Sequence, residues 1–593
     1  MLPRNRWTVP VLEALFWLPP SLLPFAVRWL TGQYTHRAEP FVALFVPLLL
    51  IYLLARTGRF QPALRAILLV FLVVGGVFAL GLALAGMGAA QPDLVLAALD
   101  TNPGESGEFL RRFYTAGDYA LVAVLMVLPV ASFITQWRLK AFWQPKPRAA
   151  VPLAVLLVLQ IALVGNLRTL LSGERRLSGI GNELIGQIYP ASWYPPLRPW
   201  IELVQAARLR AQMATASGSF TDLTPGVRVL EPAVSPRTYV VVVTESVGRS
   251  HLGLYGYPRD TTPRLSALAR NGELTVFTDA ITSQAQTAVA LFESLTWTSP
   301  SQPNPRGVID LFTAAGFETT WISNQPGMGM FDSVASLLTR GATHRVFLKH
   351  PTVVPPDDLA LFKAPERAIN ERFRANFDDR VLPELAKVLE DPVRDKLIVI
   401  HLMGSHSLYR ARYPASEEVF TTTTRPELTA AENQVINEYD NSVRFGDMVI
   451  GAVIDQVRGL GGESLVVALS DHGQEVYDFR DFAGHTNAVL SPWMLEIPLV
   501  AWLSPDYRAH HRDFAAMVTA AASRPYIHRN FAASLTDLGR IGYMDLATSA
   551  SIFSKDFVAS PRIAAGRDYA TFMRDWAPDA AHASGMALLP PKR

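Results

Sequence analysis

The chain contains no cysteine. That excludes a disulfide framework, a thiolate metal site and a cysteine nucleophile, so any bound metal must be held by oxygen and imidazole ligands. Charge is scarce too: Asp, Glu, Lys and Arg make up 18% of the 593 residues, against a usual share of about 25%, while 49% are hydrophobic. This balance excludes a disordered chain and points to apolar segments beyond those a soluble core needs. Lys and Arg number 54 and Asp and Glu 52, a formal net charge of +2 without the basic excess of a nucleic-acid binder. Neither a G-x-S-x-G elbow nor a G-x-x-x-x-G-K-[ST] loop occurs, which argues against a serine hydrolase and a P-loop ATPase.

The apolar residues concentrate before residue 168. Segments 66–90, 119–137 and 149–167 carry no charge, and each approaches or exceeds the roughly 20 residues that span a bilayer. Segment 41–55 is shorter, and 7–27 carries Glu13 and four prolines; counting both gives an N-terminal domain of five transmembrane helices over residues 1–168. A cleaved signal peptide is disfavoured, because residues 9–27 lack a small-residue cleavage site and further apolar segments follow. Arg4 and Arg6, then Arg56, Arg59 and Arg65, then Arg138, Lys140, Lys146 and Arg148 alternate with a loop rich in Asp and Glu. The positive-inside rule puts the basic loops in the cytoplasm and everything beyond residue 168 outside. The expected location is the inner membrane of a Gram-negative cell, multi-pass, with the larger domain in the periplasm.

Residues 169–237 read as helices along the membrane surface followed by a linker rich in Ser, Gly, Thr and Pro. From residue 238 to about 560, short continuous apolar runs (239–243, 319–322, 397–400, 465–469, 497–502) alternate with amphipathic stretches such as 261–269, 381–389 and 431–457. Strands buried on both faces predict an α/β domain with a mainly parallel sheet covered by helices. Residues 561–593 are expected to form a C-terminal tail.

In such a sheet, ligands bind outside the carboxyl ends of the strands. Those ends carry Thr244-Glu245-Ser246, His401 with Gly404-Ser405-His406, and Ser470-Asp471-His472-Gly473, with His485 close behind. Carboxylates and imidazoles gathered at one edge suit zinc or manganese. His510 and His511 stand in polar surroundings and read as solvated. Segment 275–281 reads as a further strand, followed by a polar turn and an apolar helix at 288–295. Thr287 would sit at that helix start, where backbone N–H groups and the helix dipole favour a phosphate. Local sequence alone favours an ordinary cap at Thr287, and Thr282 and Ser283 compete for the role of nucleophile.

Together these residues carry a family likeness. Thr244-Glu245-Ser246, the run from Leu254 through Tyr255-Gly256-Tyr257-Pro258-Arg259-Asp260-Thr261-Thr262 to Pro263, Thr287-Ala288-Val289, His401-x-x-Gly404-Ser405-His406, Tyr439-Asp440-Asn441 and Ser470-Asp471-His472-Gly473 resemble the bacterial phosphoethanolamine transferases of the sulfatase/alkaline phosphatase superfamily. Order and spacing match from residue 239 to about 503, and the five-span anchor matches too.

The resemblance implies that Glu245, Thr287, Asp471 and His472 hold zinc in one tight site and that Thr287 is the nucleophile. It implies that His401, His406 and His485 serve a second, weaker metal or the transferred phosphate. The loop carrying Asn102 and Glu105 is similar to the family's loop that meets the ethanolamine headgroup. The donor so implied is phosphatidylethanolamine, a membrane lipid, and the acceptor an envelope glycolipid. Two departures bear on that acceptor. Disulfides are absent, and Trp321-Ile322-Ser323-Asn324-Gln325-Pro326-Gly327-Met328-Gly329 stands where lipid A-modifying members carry a Cys- and Lys-containing segment. Lipopolysaccharide core sugars therefore stand beside lipid A. A phosphoglycerol transferase acting on a periplasmic glycan and an inactive membrane-anchored binding or sensor protein are the alternative readings.

Overall fold

The computed structural model describes residues 7–31, 39–100, 106–107, 109–110, 113–143, 194–218, 226–231, 234–299, 302–326, 335, 338–349, 377–390, 395–487, 489–543 and 546–583. They divide into two compact units, residues 1–96 with 110–208 and residues 97–109 with 209–593.

The first unit contains helices α1 (Thr8–Leu30), α2 (Glu39–Ala55), α3 (Gln61–Leu84) and α4 (Ala116–Leu139). Among the described residues three helices are long and apolar enough to cross a membrane: Thr8–Leu30, Gly58–Leu84 and Ala116–Leu139. Three of the five expected spans are therefore present among the described residues. The fourth expected span is α2, which at 17 residues is shorter than the roughly 20 that cross a bilayer, and residues 149–167 lie outside the described residues. Glu13, the charge that interrupts the first apolar run, is neutralised inside the unit. Its carboxylate lies 2.9 Å from Arg65 Nη1 and accepts the Trp17 indole N–H at 3.0 Å, while Arg65 Nη1 also donates to Gln136 Oε1 at 2.9 Å. Arg65 and Gln136 are wholly buried. In an apolar environment an ionised side chain persists only with such partners.

The second unit is built on a seven-stranded sheet. Its strands are β1 (Arg237–Thr244), β2 (Leu274–Val276), β3 (Glu318–Pro326), β4 (His344–Lys349), β5 (Asp395–His401), β6 (Glu463–Ser470) and β7 (Leu499–Leu503), in the order β2-β7-β6-β1-β5-β3-β4. Alternate residues of each central strand enter two different cores. Tyr239, Val241 and Val243 join Leu465, Val467 and Leu469 on one face, and Val240 and Val242 join Ile398, Ile400 and Val466 on the other. The second face is covered by α7 (Ala430–Arg458), through Val449, Val453 and Val457, and by α6 (Val381–Glu390). α5 (Thr287–Leu295) covers part of the first through Leu291 and Leu295.

The sheet is mixed rather than uniformly parallel. β6-β1, β1-β5, β5-β3 and β3-β4 are parallel, while β7 runs antiparallel to both β6 and β2. A strand buried on both faces shows the same apolar run whichever way it points. Segment 275–281 is also not one strand. β2 ends at Val276, and Ala280–Ile281 pairs separately with Tyr526–Ile527. The linker contributes Val227–Val229, paired with Ile541–Tyr543. The expected tail is partly folded, with a hairpin of Ile563–Ala564 and Arg567–Asp568 followed by helix Tyr569–Ala583. His510 is exposed, as expected, with Nδ1 3.0 Å from Glu463 Oε1, whereas the side chain of His511 is buried between Glu231 and Glu463.

Candidate active site

Strand register assembles the site. Thr244 at the end of β1 lies opposite Ser470 at the end of β6, and Val243 lies opposite His401 at the end of β5. Glu245 therefore leaves the sheet beside Asp471-His472. The chain turns sharply there, with Ser246 in the left-handed region at φ 59°, a strained conformation that neighbours must hold. The Ser246 amide donates to Asp471 Oδ1 at 3.0 Å and its hydroxyl to Glu245 Oε1 at 2.9 Å, while Tyr439 OH donates to Ser246 O at 2.8 Å and accepts from Gly248 N at 2.9 Å. Gly404, at φ 50°, closes the other side: a Cβ there would sit 2.6 Å from the Glu245 backbone N and O, so only glycine fits.

Thr287, the first residue of α5, completes the group. Its Oγ1 donates to Glu245 Oε1 at 3.0 Å and lies 3.3 Å from His472 Nε2. The competing hydroxyls are engaged elsewhere. Thr282 Oγ1 donates to Gln284 O at 2.8 Å, Ser283 Oγ lies 3.4 Å from His528 Nδ1, and both residues are fully buried. Tautomers follow from the carbonyls. His472 Nδ1 donates to Gly473 O at 2.8 Å and His485 Nδ1 to Ala285 O at 2.9 Å, which leaves Nε2 of each as the inward-facing nitrogen. Glu245, His472 and His485 each offer a ligand atom within 4.8 Å of the others, and the two imidazole rings lie 4.0 Å apart.

The electrostatics describe a site built around a cation. Burial alone raises the Glu245 carboxyl, yet the hydrogen bond and charge of His472, with His406 and His485 nearby, hold it well below the carboxylate range. Asp471 goes the other way, raised by burial and by the Glu245 charge. His472 is pushed up to about 9, the two carboxylates outweighing burial, and His485 down to about 3 by burial and the His472 charge. Asp471 Oδ2 is buried without a hydrogen bond, 3.3 Å from His472 Nε2. Two buried carboxylates, one oxygen of them unsatisfied, beside imidazole nitrogens and a hydroxyl form an oxygen and nitrogen donor set that fits zinc.

A sulfatase family profile matches residues 237–541, just over half the chain. The chain belongs to the sulfatase family. Among its relatives, the phosphoethanolamine transferase EptC of Escherichia coli K12 is 28% identical over 485 residues, 78% of this chain and 77% of that protein. The phosphoethanolamine transferase CptA of Salmonella typhimurium is 26% identical over 565 residues, 92% of each chain. The C-terminal periplasmic domain of E. coli EptC, crystallised as a complex with zinc, superposes with a TM-score of 0.50 at 29% identity, over 58% of this chain and 92% of that one. The integral membrane protein EptA of Neisseria meningitidis shares the fold across both units, with a TM-score of 0.64 at 20% identity over 92% and 98%.

In this sulfatase-family chain the structure brings together Glu245, Thr287, Asp471, His472 and His485. His406 lies close enough for its charge to act on Glu245 and His485. His401 is buried with its Nδ1 3.2 Å from Ser323 Oγ and its ring 5.5 Å from that of Trp321, and the Glu245 charge acts on it as well. Asn102 and Glu105 lie outside the described residues. Sequence reasoning missed Gln325, whose Nε2 donates to Glu245 Oε2 at 3.2 Å and to Leu402 O at 2.9 Å. Its only sequence signal is its place at the end of an apolar strand. The motif Tyr439-Asp440-Asn441 acts behind the site. Asp440 accepts from His251 Nδ1 at 2.8 Å, Tyr257 OH at 2.8 Å and Arg259 Nη1 at 2.7 Å, tying the 254–263 run to α7.

Proposed function

We propose that the chain is a zinc-dependent phosphoethanolamine transferase of the inner membrane, with a periplasmic catalytic domain over residues 238–560 and phosphatidylethanolamine as donor. The observation that carries this reading is Thr287 Oγ1 within reach of both Glu245 and His472, on a chain whose extended relatives are phosphoethanolamine transferases. Glu245, Thr287, Asp471 and His472 would hold zinc, which lowers the pKa of a coordinated hydroxyl and offsets charge on phosphoryl oxygens.

The chain's own residues divide the remaining work. Thr287 Oγ1 gives up its proton and forms a bond to the donor phosphorus, while the phosphorus–oxygen bond to diacylglycerol breaks and diacylglycerol leaves as the protonated alcohol. The first turn of α5 directs backbone N–H groups toward the phosphate. His406 and His485 flank the phosphate and hold it. A hydroxyl of an envelope glycolipid, in the lipopolysaccharide core or lipid A, then takes the phosphoethanolamine and Thr287 recovers its proton. Water in place of that hydroxyl would give hydrolysis, and the covalent intermediate retains the group until the acceptor arrives.

The test is intact-protein mass spectrometry after incubation with phosphatidylethanolamine alone. The expected result is a gain of one phosphoethanolamine on Thr287, lost together with transfer in Thr287→Ala and retained in Thr282→Ala and Ser283→Ala. An adduct mapped to Thr282 or Ser283, or transfer surviving in Thr287→Ala, overturns the mechanism.

A further inference from the structure

The family match ends at residue 541, but the chain beyond it returns to the active site twice. The hairpin of Ile563–Ala564 and Arg567–Asp568 turns through Ala565 at φ 45° and Gly566 at φ 77°. At the turn, Ala565 N donates to Ser283 O at 2.8 Å, four residues before Thr287. Ser283 is gripped from its other side by His528. The hairpin is itself anchored, by Arg562 on Asp279 and by Arg529 Nη2 donating to Ile563 O at 2.6 Å. The connection leading to the proposed nucleophile thus runs between His528 and this hairpin.

The second return is through helix Tyr569–Ala583. Its buried Tyr569 donates to Glu496 Oε1 at 2.7 Å, and the other oxygen of Glu496 takes Arg249, on the loop that follows Glu245. Two turns further, Trp576 packs 4.5 Å from the ring of Phe479 and 6.1 Å from that of Trp493. Phe479 stands at the tip of the hairpin Glu475–Val476 and Ala483–Gly484, whose two ends are continuous with His472 and His485. Trp493 lies on the segment behind Gly473, where Gly473 N donates to Met494 O at 2.9 Å.

We propose that residues 562–576 are a positioning strap for the catalytic centre, with Ala565 fixing the Thr287 connection, Tyr569 fixing the loop after Glu245 through Glu496 and Arg249, and Trp576 fixing the loops of His472 and His485. The strap touches none of the reacting atoms; it acts through the segments that carry them. This rests on the reading of the centre given above. Binding geometry held to a fraction of an ångström is where remote contacts act on rate, since a misplacement of about 1 Å can cost on the order of 100-fold.

The test uses the full chain in detergent micelles with phosphatidylethanolamine as donor, comparing Trp576→Ala, Trp576→Phe and Tyr569→Phe. Three quantities are read well below each variant's melting midpoint: kcat, KM for the donor, and the rate of zinc release to a chelator. The expected result for Trp576→Ala is a fall in kcat of about tenfold or more with KM little changed, faster zinc release, and recovery of most activity in Trp576→Phe. Tyr569→Phe, which removes one hydroxyl, should show a smaller loss of the same kind. Native kcat and native zinc release in either Trp576→Ala or Tyr569→Phe overturn the strap. Should Trp576→Ala fail to fold, Tyr569→Phe decides alone. If the native chain transfers nothing while zinc release still quickens in the variants, the strap stands and the transferase reading falls.

Discussion

At Glu245 the two carboxylate oxygens have different partners. Oε1 faces Thr287, Ser246 and His472, while Oε2 is held by the Gln325 amide. Groups that orient a metal ligand from behind typically contribute 10–100-fold in affinity, so Gln325→Ala should weaken zinc binding by about that factor. Asp471→Asn should weaken it further by removing a ligand charge. Chelator competition followed by elemental analysis measures both, and native affinity in Asp471→Asn would reject the ligand assignment. His251 offers a pH prediction away from the metal. It is buried between Asp440 and Asp478, whose charges outweigh burial and push it from 6.5 up to about 10. A raised folded value stabilises the protein fully below about pH 6.5, and that contribution is lost as pH rises through 10. The melting midpoint of the native protein should therefore exceed that of His251→Gln most at pH 6, with the gap closing toward pH 10. A gap independent of pH would show that His251 acts by packing alone.

At the scale of elements, the Glu13–Arg65 pair bears on how the apolar helices hold together. Glu13 lies near the start of α1, Arg65 near the start of α3 and Gln136 near the end of α4, so one polar node gathers these three ends on one side of the unit. That is the side to which the basic loops assign them. Removing one partner of a buried pair leaves an uncompensated charge, at a cost of about 3–5 kcal/mol. Glu13→Ala should lower the unfolding midpoint in detergent accordingly, and Glu13→Ala combined with Arg65→Met should recover part of the loss. Equal midpoints for the single variant and the native chain would remove the node from the account of helix packing.

For the whole molecule, the absence of cysteine makes topology directly measurable, because an introduced thiol has no background. With the basic loops cytoplasmic, Val558→Cys should react with a membrane-impermeant maleimide added to spheroplasts. Arg59→Cys, in the loop between α2 and α3, should react only after the membrane is opened. The reverse pattern would put the metal centre on the wrong face for an envelope acceptor and end the transferase reading.

What the sequence determined by itself was local in origin. An amphipathic repeat at 431–457 became α7 within one residue at each end, closed at its start by Thr429 and Glu432 in a capping box. Apolar runs became strands, and the polar residues ending β1 and β6 gathered at one edge because parallel neighbours in register must end together. Tertiary structure alone decided the direction of β7, since burial on both faces leaves no directional trace in the sequence. It also distinguished Thr287 from Thr282 and Ser283. All three are hydroxyls on one polar stretch, and only the fold brings Thr287 to Glu245, 42 positions away, and to His472, 185 away, while burying the other two against His528. Gln325 and Trp576 belong to the same class: each meets its partner across a long loop closure, and periodicity and motif spacing carry no record of contacts made at that distance.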